Sequence, residues 1–410
     1  QQQPFGTGNN FPVPNELKED FFEVAGDHPA IVGFDLELIG LQSDARSSRP
    51  SFLDKFINQF VEKVVKSHEN GSIITISWHF VNPNDFNLDG SMNLNNVVPK
   101  MLEGGEYREL FIDRLERVAR LLNNLIDSDG NPIPVLFRPW HEMNGDFFFW
   151  GEGFRTTAEY KQLWRDTVKI LSENYKVHNV LYVYAPNFVA NRSEYLKNYP
   201  ENEFVDLLGI DVYDFKNGNF LNTAIRNLQI VEEIAAEKNM LFALTETGLT
   251  NLVNNNWFTE SLYKAIKNSS ITYTMIWRND MTTFFHAPFL GHPSETNLTR
   301  LKDCKRGIVS HLIKNGVRSG VKGEADVFSE ADLICKRVGL FTVEETFTVC
   351  PYHRDFLGIH WRPKTSCQYP NHKGTAKPYR SFNSRMCKRM ISKFGILVPV
   401  GSGKLFLFIW

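Results

Sequence analysis

Val135-Leu-Phe-Arg-Pro-Trp-His-Glu-Met-Asn-Gly-Asp-Phe-Phe-Phe-Trp150-Gly151 is an apolar run that ends abruptly in Arg, Trp, His and Glu and then turns aromatic. A strand over about 133–140 leaves Arg138, Trp140, His141 and Glu142 at or just past its C-terminal end. In an α/β barrel that end is the catalytic face. A single Glu after a strand reads more readily as a solvated edge than as a catalyst. Arg138, Trp140, His141, Glu142 and Asn144 within seven positions do not.

Working outward, six further apolar, β-branched runs read as strands, at about 30–35, 72–80, 180–185, 205–213, 241–245 and 271–277. Between most of them lie amphipathic segments at helical spacing, 52–65, 108–126, 157–171 and 223–236, with a short helix over 15–24. Strands alternating with helices imply a parallel sheet covered by helices. The strands end in Asp35, Trp78-His79, His141-Glu142, Asn187, Asp211 to Tyr213, Glu246 and Trp277-Arg278-Asn279. That pattern predicts an α/β fold of the (β/α)8 TIM barrel type rather than an open doubly wound sheet. No glycine-rich turn of the nucleotide-binding kind follows the first strand, so phosphate cofactors are not expected. Seven strands are visible where eight are expected. The first is expected to lie before Gln1, with the Gln-, Gly-, Asn- and Pro-rich opening as the loop after it.

A chain of 410 residues has room for one barrel of about 250 residues and a smaller unit. With 42% hydrophobic and 22% charged residues it is not a disordered chain. Its charge is divided: from Cys304 onward there are 18 Lys+Arg against 7 Asp+Glu, and before it 27 against 40. Two domains are therefore expected, an acidic one at 1–303 and a basic one at 304–410. All five cysteines, Cys304, Cys335, Cys350, Cys367 and Cys387, fall in the second. No apolar run approaches the roughly 20 residues of a membrane span. The chain begins with Gln1 and shows no charged-then-apolar leader, which reads as a processed form or a fragment. Four Asn-x-Ser/Thr sequons, at Asn70, Asn191, Asn268 and Asn297, are acceptors if the chain is secreted.

A second carboxylate stands in Ala243-Leu-Thr-Glu-Thr-Gly248, where Glu246 closes an apolar strand three strands after the one carrying Glu142. Two glutamates on separate barrel strands can face each other across the mouth. Glycosidic hydrolysis needs such a pair, one to protonate the leaving oxygen and one to attack the anomeric carbon or activate water. Their surroundings must then keep Glu142 protonated and Glu246 ionised.

Arg138-Pro-Trp-His-Glu-Met-Asn-Gly145 with Trp150-Gly151, Ser77-Trp-His79 with Asn82-Pro83, Gly209-Ile-Asp-Val-Tyr213, Thr245-Glu-Thr-Gly248 and Trp277-Arg-Asn279 together resemble glycoside hydrolase family 26, typified by β-mannanases. The likeness runs over about 29–293. It implies that Glu142 is the acid/base and Glu246 the nucleophile of a retaining mechanism. It further implies that His141 tunes the acid and contacts sugar, that Tyr213 hydrogen-bonds the nucleophile, and that Trp277 is the stacking platform. Trp78, His79 and Trp150 would line the glycone side, and Arg138 would orient the nucleophile. His286 resembles part of a family loop and is a candidate subsite residue; Asp35, Asp211 and Asp214 read as capping residues without a chemical role. Catalysis on this reading takes no metal or organic cofactor. The chain departs from the family in Phe147-Phe-Phe-Trp150, where mannanases commonly carry Trp-Phe-Trp-Trp, in the missing first strand, and in everything after Pro293.

The basic segment carries Cys350-x2-His353 and Cys367-x4-His372. Four such ligands suit a closed tetrahedral zinc site, which would staple a small zinc-finger-like module with a thin core. Incidental Cys and His, or disulfides, are the competing readings. A basic zinc module raises nucleic-acid binding as a second class of function, but its charges are scattered rather than gathered on one helix face. The expectation is a secreted, monomeric retaining endo-β-1,4-mannanase whose partner is a polysaccharide. The alternatives are a β-1,3-1,4-glucanase or β-1,3-xylanase on the same barrel, or an inactive carbohydrate- or polyanion-binding protein.

Overall fold

A computed structural model describes residues 20–40, 52–84, 92–215, 219–279 and 285–301. Seven parallel strands run in sequence order around one sheet: β1 (Ile31–Asp35), β2 (Ile73–Trp78), β3 (Val135–Pro139), β4 (Val180–Tyr184), β5 (Leu207–Asp214), β6 (Leu241–Leu249) and β7 (Thr274–Ile276). The sheet curls until β1 and β7 are neighbours, giving a nearly closed barrel, with no ladder joining those two among the described residues. Helices α1 (Asp20–Ala25), α2 (Phe52–Glu69), α3 (Val97–Met101), α4 (Arg108–Asn123), α5 (Thr157–Lys169), α6 (Arg192–Lys197), α7 (Phe220–Lys238) and α8 (Tyr263–Ile266) accompany the strands. An eighth strand is not among the described residues. Nor are Cys350, His353, Cys367 and His372, so the zinc-finger-like module and the second domain lie outside them.

Each strand serves two cores because successive side chains point to opposite faces. Outward residues such as Val32 and Phe34, Ile74 and Ile76, Val135 and Phe137, and Leu208 and Ile210 join the large layer shared with the helices. Inward residues Ile31, Leu136, Leu181, Val183, Leu207, Leu241 and Ala243 form a separate plug inside the barrel. Following the inward parity upward, the plug turns polar: Ile31 leads to Asp35, Leu136 to Arg138, Leu207 to Asp211 and Tyr213. The apolar floor fixes the register, and the register delivers the polar residues to one mouth.

Several element ends differ from expectation, two of them by local causes or with consequences for the site. Helix α4 stops at Asn123 rather than 126, because Asp127 accepts backbone N–H bonds from Asp129 and Asn131 and Gly130 turns at φ +86°. Strand β6 runs on to Leu249, so Glu246 sits inside a strand instead of closing one. Of the sequons, Asn297 is buried and bonded on both sides of its amide to Thr259, which removes it as an acceptor in the folded chain.

Candidate active site

The register of β5 against β6 slips between Ile210 and Asp211, whose partners are Leu244 and Glu246. Thr245 is the extra residue of a bulge, which re-aims the side chains after it. As a result two consecutive residues face the mouth: Thr245 Oγ1 donates to Asp211 Oδ1 at 2.6 Å, and Glu246 reaches Arg138 and Tyr213. Gly209 makes room for this, since a Cβ there would stand 2.6 Å from Thr245 Cγ2. Gly248 does the same for His286, whose Cδ2 would be 2.4 Å from an added Cβ.

Arg138, 1% exposed, divides its guanidinium between two carboxylates. Nη1 donates to Asp211 Oδ2 at 2.7 Å and Nη2 to Glu246 Oε1. The other Glu246 oxygen, Oε2, accepts from the Tyr213 hydroxyl at 2.6 Å. Burial and the charge of Glu246 push the Tyr213 phenol far up, so it stays a donor. Glu246 is thereby gripped at both oxygens.

Glu142 is held differently. Trp140 and Glu142 take φ of +52° and +53°, left-handed values that cost a residue with a Cβ on the order of 1–3 kcal/mol each. The flanking turns bring Glu142 back over the mouth, with its N–H on Ala185 O at 2.8 Å. Among the described residues nothing donates to its carboxyl. Burial, followed by the charges of Asp211 and Glu246, raises its pKa well above the ordinary carboxyl range. Burial raises Asp211 too, against the pull of Arg138.

Beside Glu142, Asp35 Oδ2 accepts from Ser77 Oγ at 2.6 Å and lies 2.6 Å from His79 Nδ1; His79 Nε2 is 3.2 Å from His141 Nε2. Burial opposes charge on both Asp35 and His79, yet their attraction wins: the carboxyl is lowered and the imidazole raised. Burial, with Arg138 and His79 nearby, drives His141 well down, so it is neutral. His141 Nδ1 is buried and meets no hydrogen-bond partner among the described residues.

The structure brings together Glu142, Glu246, Arg138, Tyr213, His79 and His141. Trp277 stands beside them, half-buried, its ring edge-on to Tyr213 at 6.1 Å and to His286 at 5.5 Å. Two expected site residues are placed otherwise. Trp78 is 1% exposed and packs on Trp140, Phe80 and Phe137: by parity with Ile74 and Ile76 it belongs to the outer layer. Trp150 is equally buried, stacked on Phe148 at 4.3 Å, and its Nε1 donates to His141 O at 2.8 Å, so it backs the site and does not line it. His286, 3% exposed, is a buttress for Trp277 and Tyr213. Asp211, read from sequence as a cap, is a buried partner of Arg138; Asp35 does cap the turn after β1, accepting from Glu37 N at 2.7 Å, and is also the buried partner of His79. The parity 207, 209, 211 and 31, 33, 35 was the signal that places them inside.

Carboxyl oxygens of Glu142, Asp211 and Glu246 lie within 4.8 Å of one another, a spacing that a cation could bridge. The Arg138 guanidinium already supplies positive charge to two of the three. None of the described helices is long and apolar enough to cross a membrane.

A parallel α/β barrel with two glutamates facing across its C-terminal mouth defines the class: a barrel protein with a carboxyl pair. The model of glycosyl hydrolase family 26 matches residues 13–283. The chain belongs to that family. It is 32% identical over 283 residues to a mannan endo-1,4-beta-mannosidase of Bifidobacterium adolescentis, which covers 63% of this chain and 27% of that relative, so the chain spans about a quarter of the relative's length. The solved structure of GH26C from a Muricauda species is 30% identical, with TM-score 0.65 over 74% of this chain and 84% of that one. A family 26 beta-mannanase from Bacteroides ovatus is 30% identical, with TM-score 0.62 over 72% and 84%.

Proposed function

We propose that the chain is a retaining endo-β-1,4-mannanase. The observation that carries this reading is the unequal carboxyl pair: Glu142 and Glu246 oxygens lie within 4.8 Å, one carboxyl without a donor and raised, the other gripped by Arg138 and Tyr213. Carboxyls this close suit direct attack on the anomeric carbon better than a water held between the two groups. Glu246 attacks, Glu142 gives its proton to the departing glycosidic oxygen, and the glycosyl ester is then hydrolysed by water that Glu142 deprotonates. The Tyr213 hydroxyl and Arg138 hold the nucleophile in line. Trp277 offers its ring to the reacting sugar, and His79 and His141 offer it polar ring nitrogens, the unmatched Nδ1 of His141 among them.

Mannan as substrate is supported by the names of the relatives, and secretion by the kind of substrate. We also read residues 304–410 as a separate basic domain, with zinc on Cys350, His353, Cys367 and His372; purified protein would then carry about one equivalent of zinc. The deciding experiment is reducing-sugar release from β-mannan, mixed-linkage glucan and β-1,3-xylan, with Glu246→Ala as control. Release from mannan alone, abolished in the variant, establishes the reading. Release from one of the other polymers instead moves the substrate, and none from folded protein ends it.

A further inference from the structure

Each backbone carbonyl from Trp140 to Met143 ends on a donor outside the strand ladder. The Tyr160 hydroxyl donates to Trp140 O at 2.8 Å, Trp150 Nε1 to His141 O at 2.8 Å, Gly145 N to Glu142 O at 3.0 Å, and Arg155 Nη2 to Met143 O at 2.7 Å. Three of these four donors are side chains at 150, 155 and 160, on one short stretch that leads into α5. Arg155 ties the other two together: its Nε donates to Trp150 O at 2.9 Å, and its guanidinium lies 4.7 Å from the Tyr160 ring centroid. Nη1 anchors the group to Asn198 Oδ1 at 2.9 Å. The helix start is itself fixed by a capping box of Thr156 and Glu159, and nearly three turns on Thr167 Oγ1 accepts from Trp140 Nε1 at 2.9 Å.

We propose that Trp150, Arg155 and Tyr160 form a clamp that sets the reach of Glu142 toward the leaving oxygen. They are positioning residues; none is placed to touch sugar. The inference rests on Glu142 being the acid/base. A residue at φ +53° whose carboxyl has no donor keeps its position only through its backbone. Its neighbouring peptide groups are the ones the clamp holds. Loosening it displaces the acid, and small displacements cost proton transfer heavily. Attack by Glu246 is anchored separately, on β6, by Arg138 and Tyr213. The clamp is therefore expected to affect only the steps that need Glu142.

The test compares Tyr160→Phe and Arg155→Gln with the wild type and Glu142→Ala, on a β-1,4-manno-oligosaccharide and on a dinitrophenyl β-mannobioside whose leaving group needs no proton. Each clamp variant is expected to lose about tenfold or more in kcat/KM on the oligosaccharide and less than about threefold on the aryl glycoside. Combined with Glu142→Ala, neither variant is expected to add a further loss, because a residue acting through Glu142 has nothing left to position. Azide is expected to raise turnover of the aryl glycoside in the clamp variants, as in Glu142→Ala, by replacing the base-assisted water. Equal losses on both substrates, additivity with Glu142→Ala, or no loss at all overturns the clamp. Arg155 is only half-buried, so its variant decides the matter if Tyr160→Phe does not fold. Should Glu142→Ala itself lose activity equally on both substrates, the acid assignment fails first and the clamp falls with it.

Discussion

The wall formed by β5 and β6 and the loop after β3 each present one glutamate to the same mouth, and they hold it by opposite means. On the wall, a regular strand with one bulge carries Glu246, and the grip is on the side chain, from Arg138 and Tyr213. In the loop the grip is on the backbone, through two left-handed residues and four bonded carbonyls, and the carboxyl itself is left without a donor. Donors on the oxygens suit an anion that must attack along one line. Burial without donors suits an acid that must keep its proton until the leaving oxygen arrives. The two glutamates differ in chemistry because the protein touches different parts of them.

The comparison breaks most visibly at Glu246. Glu246→Ala is expected to lower turnover by about 10⁴-fold or more on every substrate. Azide should restore part of it with a product of inverted configuration at the anomeric carbon; undiminished turnover would show that the wall does not carry the nucleophile. Glu142→Ala is expected to cost about 10²- to 10⁴-fold on polysaccharide and far less on activated aryl glycosides. Arg138→Met tests the side-chain grip on Glu246, and also removes a charge that lowers the Glu142 pKa. It leaves Asp211 and Glu246 facing each other in a buried site, and should lower unfolding free energy in urea by about 3–5 kcal/mol.

A smaller effect concerns pH. On the proposed mechanism Glu142 works as an acid while protonated, so kcat/KM is expected to fall as pH rises through its raised pKa. The charge of Asp211 contributes to that rise. Asp211→Asn should therefore move the alkaline limb to lower pH, and a limb that stays in place would show that Asp211 does not act on the acid. Smallest on catalysis is Trp78→Phe. If Trp78 belongs to the outer layer, the variant loses stability with KM unchanged; a raised KM for mannan would return Trp78 to the sugar-binding surface.

Much of this was legible before any coordinates. Alternating periods located all seven strands, and the abrupt polar ends of 135–142 and 241–246 located both glutamates. What escaped were consequences of which face a residue takes. Asp211 reads as a cap because an Asp after an apolar run usually is one, while its parity with the inward plug says otherwise; Asp35 is a cap, on Glu37 N, and its parity adds the contact with His79 that the cap reading leaves out. Trp78 failed the other way, since a tryptophan next to His79 suggested sugar while its alternation with Ile74 and Ile76 assigned it to packing. Trp150 could not have been placed from sequence, because its role is a hydrogen bond to the carbonyl of His141, nine residues away, across a turn whose shape no local pattern encodes. The bulge at Thr245 was hidden for the same reason: a strand with one extra residue reads as a strand that ends early.

The left-handed backbone at position 142 also bears on heat resistance. Glycine, and to a lesser degree asparagine, tolerates that backbone at lower cost, and either change removes a buried carboxyl that no donor satisfies. Glu142→Gly is therefore expected to melt above the parent protein while losing its turnover of mannan, an opposition of stability and activity located at one residue. On the proposed reading, the substitution that disarms the site would also make the fold more robust to heat.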